Sequence, residues 1–326
     1  MDPRKLRAAL LCAPLAAACA ASRPPAAAVT APRPAPPPAA AAPAERPPAP
    51  ATGAPQATAA APSQGACPAP PPPAPSGPPD RSLPPWSQTP VAPIAAGAEV
   101  RDTVAGGAHL RLGTARGSIH VWTPAGYAAA SAGVVLYVHG YYTDVDQAFA
   151  DHRLAEQFAA TGRNALFVAA EAPSWNGEDV QWPVLSDLLH ELEARGIPVP
   201  RGPVVVVGHS GAIRTILPWL LHPRVEEVVI LDGLYRGQEE LESWLAEAAP
   251  GARRVVLVGD ETAARAETWL SASSRGLRLE RVPDALSPEE RSAPLVYMRS
   301  QYDHMSIVTE GRVMPVLLRA ARLPGL

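Results

Sequence analysis

The chain has 326 residues, a formal net charge of −3 and three cysteines, Cys12, Cys19 and Cys67. That charge gives no electrostatic reason to expect nucleic acid as a partner, and a chain without cysteine after residue 67 has neither a disulfide framework nor a thiol nucleophile there. Lys5 is the only lysine, which excludes a P-loop lysine, a Ser-Lys dyad and Schiff-base chemistry from everything beyond it.

Residues 1–18 read as an export signal: Arg4, Lys5 and Arg7 precede an apolar run that ends in Ala16, Ala17 and Ala18. The run is shorter than the roughly 20 apolar residues a spanning helix needs. Leu15-Ala16-Ala17-Ala18-Cys19 resembles a bacterial lipobox, with Ala16 where the pattern prefers Leu. The resemblance implies cleavage before Cys19 and a diacylglycerol on it, so that the membrane is a partner and the protein periplasmic or outer-membrane-associated. Ordinary signal peptidase cleavage nearby would instead release a secreted protein. Residues 19–98 hold most of the 41 prolines, with alanine, few charges and few bulky apolar residues. Such a segment cannot bury enough surface to offset its ordering entropy, so a disordered or extended tether is expected.

Residues 99–326 suit a single α/β domain. Strands are predicted at 110–112 and 118–122, about a turn at 113–117. A buried strand at 134–138 leads into His139-Gly140-Tyr141-Tyr142. A helical period then carries Phe149, Leu154, Phe158 and Ala159 inward, and Gly162 ends it. A strand at 165–169 and a helix at 184–192 follow. Val204-Val205-Val206-Val207 reads as a strand buried on both faces. After it come strands at 228–231, 255–258 and 295–298, alternating with helices at 238–248, 263–270 and 307–323. Alternation of this kind implies a mainly parallel central sheet with helices on both faces and right-handed crossovers.

Gly208-His209-Ser210-Gly211-Ala212 sits between the valine strand and a helix reaching about residue 221. This is the context of a nucleophile elbow, a tight turn that strains the serine backbone and lifts its Oγ clear of the sheet. Ala212 replaces the last glycine of the G-x-S-x-G pattern and is still small enough for strand and helix to pack closely.

His139-Gly140 after an early strand, the Gly208–Gly211 turn after a central one and a late histidine together resemble the α/β-hydrolase superfamily across the whole domain. HGYYTDVD, GHSGA and ILDGLY resemble a bacterial branch of it to which no substrate attaches. The resemblance implies Ser210 as nucleophile and His304, between the last strand and the last helix, as base. His209 points away from its neighbour's Oγ, and His139 serves a strand end. His109, His120, His152, His190 and His222 read as surface or packing residues. The acid has two main candidates. Asp232 ends the strand one after the elbow, and Asp260 ends the strand two after, where the superfamily most often keeps it. The text around Asp260, Gly-Asp-Glu-Thr, fits that pattern poorly. The order of preference is therefore Asp232, Asp260, then another acid such as Asp303.

By the same resemblance the oxyanion hole is formed by the backbone N–H groups of Gly211 and Tyr141. Tyr141, Tyr142, Trp175, Trp182 and Tyr235 fall in loops at strand C-terminal ends, where open α/β sheets bind ligands. Only about five residues separate Asp232 from the next helix, where many such hydrolases insert a cap, so no lid is expected beyond residues 175–183. The function implied is an exported serine hydrolase that cleaves an ester, thioester or amide of a small or polymeric acyl substrate. It needs no cofactor or metal, and a monomer is expected. Two alternatives share the fold: a non-catalytic envelope module for binding or scaffolding, and an acyltransferase with the same triad. Retention of Ser210, His304, both candidate acids and the His139-Gly140 turn favours catalysis, because a degenerate scaffold is expected to have lost at least one.

Overall fold

A computed structural model describes residues 89–326. The signal peptide, Cys19 and the tether up to residue 88 lie outside the described residues. The ten strands are β1 (Glu99–Val104), β2 (Gly107–Thr114), β3 (Gly117–Thr123), β4 (Gly133–Val138), β5 (Ala165–Ala170), β6 (Val204–His209), β7 (Val225–Leu231), β8 (Arg254–Gly259), β9 (Gly276–Leu279) and β10 (Leu295–Arg299). They form one sheet in the order β1-β2-β3-β5-β4-β6-β7-β8-β10-β9. The pairs from β1 to β5 are antiparallel and the rest parallel. The helices are α1 (Val145–Asp151), α2 (Leu154–Ala159), α3 (Leu185–Ala194), α4 (Ile213–Trp219), α5 (Gln238–Ala246), α6 (Ala263–Ala272), α7 (Pro288–Ser292), α8 (Ser306–Thr309) and α9 (Val313–Ala320).

The valine run explains itself once the two cores are separated. Val204 and Val206 join a cluster with α3, α4, α5 and α6, while Val205 and Val207 join one with α1, α2, α8 and α9. Successive strand side chains point to opposite faces, and both faces are covered, so every position must be apolar. This is the mainly parallel, doubly covered sheet of the α/β-hydrolase fold.

Several elements differ from the sequence reading. β1 and the edge strand β9 are additional, as is α7, which begins with a Ser287–Glu290 capping box. The helical period expected through Phe149, Leu154, Phe158 and Ala159 is broken where Arg153 takes a positive φ of 48°. The one expected over 307–323 splits into α8 and α9 at Gly311, φ 72°. Residues 89–98, which the sequence assigns to the tether, are fastened to α1 and β2: Val91 N donates to Gln147 (3.1 Å) and Gly97 N to Gly113 O (2.9 Å).

Glu227 and Arg254 form a fully buried ion pair at the start of β7 and β8, 2.7 Å between Arg254 Nη1 and Glu227 Oε1. Arg322 N donates to Glu227 Oε2, and Arg254 Nη2 donates to the carbonyl of Glu290. Removing one partner of such a pair typically costs about 3–5 kcal/mol, because the other charge is left buried and unpaired.

Candidate active site

The elbow forms as its small residues dictate. β6 ends at His209, and Ser210–Ala212 make a single 3-10 turn that runs into α4. Ser210 has a φ of 53°, in the left-handed region that L-residues occupy only under constraint. The constraint is close packing. A Cβ on Gly208 would lie 2.8 Å from Ala212 Cβ and 2.3 Å from Ile216, and one on Gly233 would lie 2.6 Å from Ser210 O. Strand, turn and helix therefore approach more closely than any side chain at these two positions would permit.

His304 follows β10. Its Nδ1–H donates to Asp232 Oδ2 over 2.7 Å, which leaves the Nε2 lone pair of the neutral ring available as a base. Burial lowers the imidazole's proton affinity. The Asp232 hydrogen bond and charge, with the charges of Glu261 and Asp260, outweigh burial and raise it above the ordinary 6.5. His209 takes a second role here. Its Nε2–H donates to the His304 carbonyl (3.0 Å) and its ring lies against the His304 ring, 4.6 Å between centroids. Burial, then the neighbouring His304 charge, holds His209 down to about 3, so it stays a neutral prop.

Asp232 is fully buried at the end of β7. Oδ1 accepts hydrogen bonds from Asp260 N, Thr262 N and Thr262 Oγ1, each 2.9 Å, and Oδ2 accepts from Glu261 N (3.2 Å) as well as His304. Burial alone would push the carboxyl up. The His304 bond and the Thr262 and Asp260 donors overcome it and hold Asp232 well below the usual carboxylate range. Asp260 thus meets Asp232 through its backbone N–H, and among the described residues its carboxylate bonds no ring nitrogen. The mismatch at Gly-Asp-Glu-Thr has a structural reason: these residues present a row of donors that cradles a carboxylate on the neighbouring strand.

Ser210, Gly211, Tyr141 and His304 line one cavity of about 540 Å³, with Tyr142, Trp175, Tyr235, Arg214 and Glu261 among its other walls. Gly211 lies in the first turn of its helix, where backbone N–H groups have no acceptor within the helix. Tyr141 N donates to nothing among the described residues. The Tyr141 ring lies over Gly211, with ring carbons 2.6–2.7 Å from where a Cβ would sit. Trp182 is drawn away from this cavity. It is buried in the core, its carbonyl accepting Trp219 Nε1 (2.7 Å). His109, His120, His139 and His152 are buried packing residues held by hydrogen bonds.

Three participants gave no warning in the sequence. Arg214 donates to the carbonyls of Trp175, Asn176 and Glu178 (3.3, 2.7 and 2.8 Å) and fastens that loop as a wall. Thr262 and Glu261 enter only through their partners across the sheet. Among the described residues, Asp232, Glu261 and His304 are the one group with ligand atoms close enough to share a metal ion, within 4.8 Å of one another. Both Asp232 oxygens already receive hydrogen bonds.

No family model matches the chain, and no curated protein matches it. Solved structures similar to it include the feruloyl esterase module from Clostridium thermocellum. That match has 12% identity and a TM-score of 0.46, over 73% of this chain and 90% of that one. An S-formylglutathione hydrolase from Staphylococcus aureus matches at 10% identity and a TM-score of 0.47, over 71% of this chain and 100% of that one. A hyperthermophilic esterase from the archaeon Pyrobaculum calidifontis matches at 12% identity and a TM-score of 0.41, over 69% of this chain and 85% of that one.

Proposed function

We propose that the chain is a serine hydrolase that transfers the acyl group of an ester, thioester or amide to Ser210 and then to water. The observation carrying this is that the strained serine and an imidazole whose proton is held by a buried carboxylate share one cavity. As Ser210 Oγ bonds to the carbonyl carbon, His304 Nε2 takes its proton, and Asp232 stabilises the imidazolium without accepting that proton. The tetrahedral oxyanion receives the N–H groups of Gly211 and Tyr141. Collapse expels the alcohol, thiol or amine, which leaves with the His304 proton. Water, deprotonated by the same nitrogen, then attacks the acyl-enzyme and releases the acid. Only residues 232–237 link β7 to α5, so a cap of the kind often inserted there has no room. A tether lipidated at Cys19 would hold this chemistry at the cell envelope.

A fluorophosphonate tests the reading, since it reacts only with an activated serine. The expected adduct maps to Ser210 by peptide mass spectrometry, is lost in Ser210→Ala and forms at least ~10³-fold more slowly in His304→Ala. An adduct elsewhere, or none on folded wild-type protein, would sink it.

A further inference from the structure

His304 Nδ1 faces two carboxylates. Besides Asp232 at 2.7 Å, Glu261 Oε2 lies 3.8 Å away. That same oxygen accepts the Tyr235 hydroxyl over 3.2 Å, and Tyr235 lines the cavity together with Ser210. The two acids differ in every other respect. Asp232 is sealed beneath the sheet end and saturated by the 260–262 loop, whereas Glu261 is more than half exposed and lines the cavity itself. Its backbone N–H is already committed to Asp232 Oδ2. Main chain and side chain of this one residue therefore meet opposite partners of the His304–Asp232 pair.

We propose that Glu261 is a second positioning residue for His304, its carboxylate steered by Tyr235 to the open side of the Nδ1–H bond that Asp232 holds from below. The proposal rests on His304 being the base of the hydrolase reading. A largely exposed carboxylate beside a partly exposed imidazole favours the protonated ring without anchoring it, since solvent screens the pair. Asp232 fixes the ring orientation, and Glu261 sets how readily the ring keeps the proton that it takes from Ser210. Tyr235 makes this possible by holding one glutamate oxygen in place, and its hydroxyl remains a donor. Burial, then the Glu261 and Asp232 charges, pushes its ionisation far above the ordinary range.

Other charged groups around the ring do not duplicate this role. Asp260 acts at longer range from the same loop, and His209 on the β6 side is neutral and bonds the His304 carbonyl. Asp303, in the base's own loop, is turned to Ser306 and Met305. Glu261 is the one acid besides Asp232 within 4 Å of the ring nitrogen among the described residues.

The test follows the imidazole directly, by NMR of histidine-labelled full-length protein carrying Ser210→Ala, with the His304 signal assigned by its loss in His304→Gln. Adding Glu261→Gln is expected to lower the His304 titration midpoint by about 0.5–1 unit, a change of roughly three- to tenfold in the protonation equilibrium. Glu261→Asp, which keeps the charge, is expected to restore more than half of that shift. In the Ser210 protein, the rising limb of fluorophosphonate inactivation against pH should move by the same amount in Glu261→Gln. An unmoved midpoint overturns the proposal, as does a shift that Glu261→Asp leaves unrestored. Complete loss of labelling in folded Glu261→Gln overturns it too, since that would make Glu261 the indispensable acid. If wild-type Ser210 is never labelled, the hydrolase reading fails, and the NMR midpoint still decides the place of Glu261.

Discussion

At Asp232 the backbone enters the left-handed region, φ 45°, so that a side chain at the end of β7 can receive donors from a loop one strand away. The arrangement gives the residue two sets of partners, His304 and the 260–262 loop. Asp232→Asn places an NH₂ group against N–H donors. It is therefore expected to lower the rate of fluorophosphonate labelling by up to about 10⁴ and stability by roughly 2–4 kcal/mol. Labelling kinetics and thermal unfolding measured side by side read both effects. Asp260→Asn keeps the backbone N–H that Asp232 uses, so a loss of less than about tenfold is expected. The reverse ranking would return the acid to Asp260. From sequence, both aspartates were visible as strand-end carboxylates. What could not be read was that the peptide N–H of one serves the carboxylate of the other, because backbone donors carry no side-chain signature. Arg214 was silent for a similar reason: it acts on three carbonyls of a loop far away in the chain.

The strand–turn–helix element holding Ser210 is specified by what it leaves out. Gly233 stands where a methyl group would meet Ser210 O at 2.6 Å, a backbone atom that cannot swing aside. Gly233→Ala is thus expected to displace the elbow, costing about 1–3 kcal/mol and slowing fluorophosphonate labelling by at least roughly tenfold. Wild-type melting and labelling would show that the turn has slack. The same logic sorts the elements that the sequence revealed from those that it hid. β4, β6, β7, β8 and β10 each carry an uninterrupted run of at least four apolar residues because both of their faces are covered, and those runs stand out in the sequence. β1 is largely exposed along its length, and its text Glu99-Val100-Arg101-Asp102-Thr103-Val104 has no apolar face to announce it. β9, at the opposite edge, is a four-residue strand with no buried position. The interruption between α8 and α9 lies within one apolar period, and only Gly311 marks it.

Over the whole molecule, the buried histidines set the response to acid. His120, His152 and His209 are held below the ordinary 6.5, each chiefly by burial, with His209 at about 3. The unfolded chain binds protons at these positions before the folded one does, so stability falls as pH drops below 6.5. In His139 and His304 burial acts downward, but Glu171 and Asp232 outweigh it. Their contribution is fully present below 6.5 and is lost as pH rises through their raised values. Asp146 and Asp232 titrate below the ordinary 3.8, and their contribution disappears as pH falls further. With these three histidines and the partly buried His222 lowered against two raised, the unfolding temperature is expected to peak near neutrality and to fall by roughly 5–10 °C by pH 4.5. A melting temperature unchanged from pH 7 to pH 4.5 would contradict the buried, neutral state of these rings.

The Glu227–Arg254 pair gains a further meaning from where it stands. The two residues are direct partners in the β7–β8 ladder, and each immediately precedes an apolar run of similar valines, isoleucine and leucines. Nothing in Val228-Val229-Ile230-Leu231 distinguishes one alignment with Val255-Val256-Leu257-Val258 from another. A slip by one residue would turn the far ends to opposite faces of the sheet. The buried charges work as an index pin: they engage at a single setting, and at that setting Asp232 arrives under the 260–262 loop with its oxygens toward His304. The alignment of the groups around Ser210 is thus keyed from the opposite end of the strands, by buried residues that do not line the cavity.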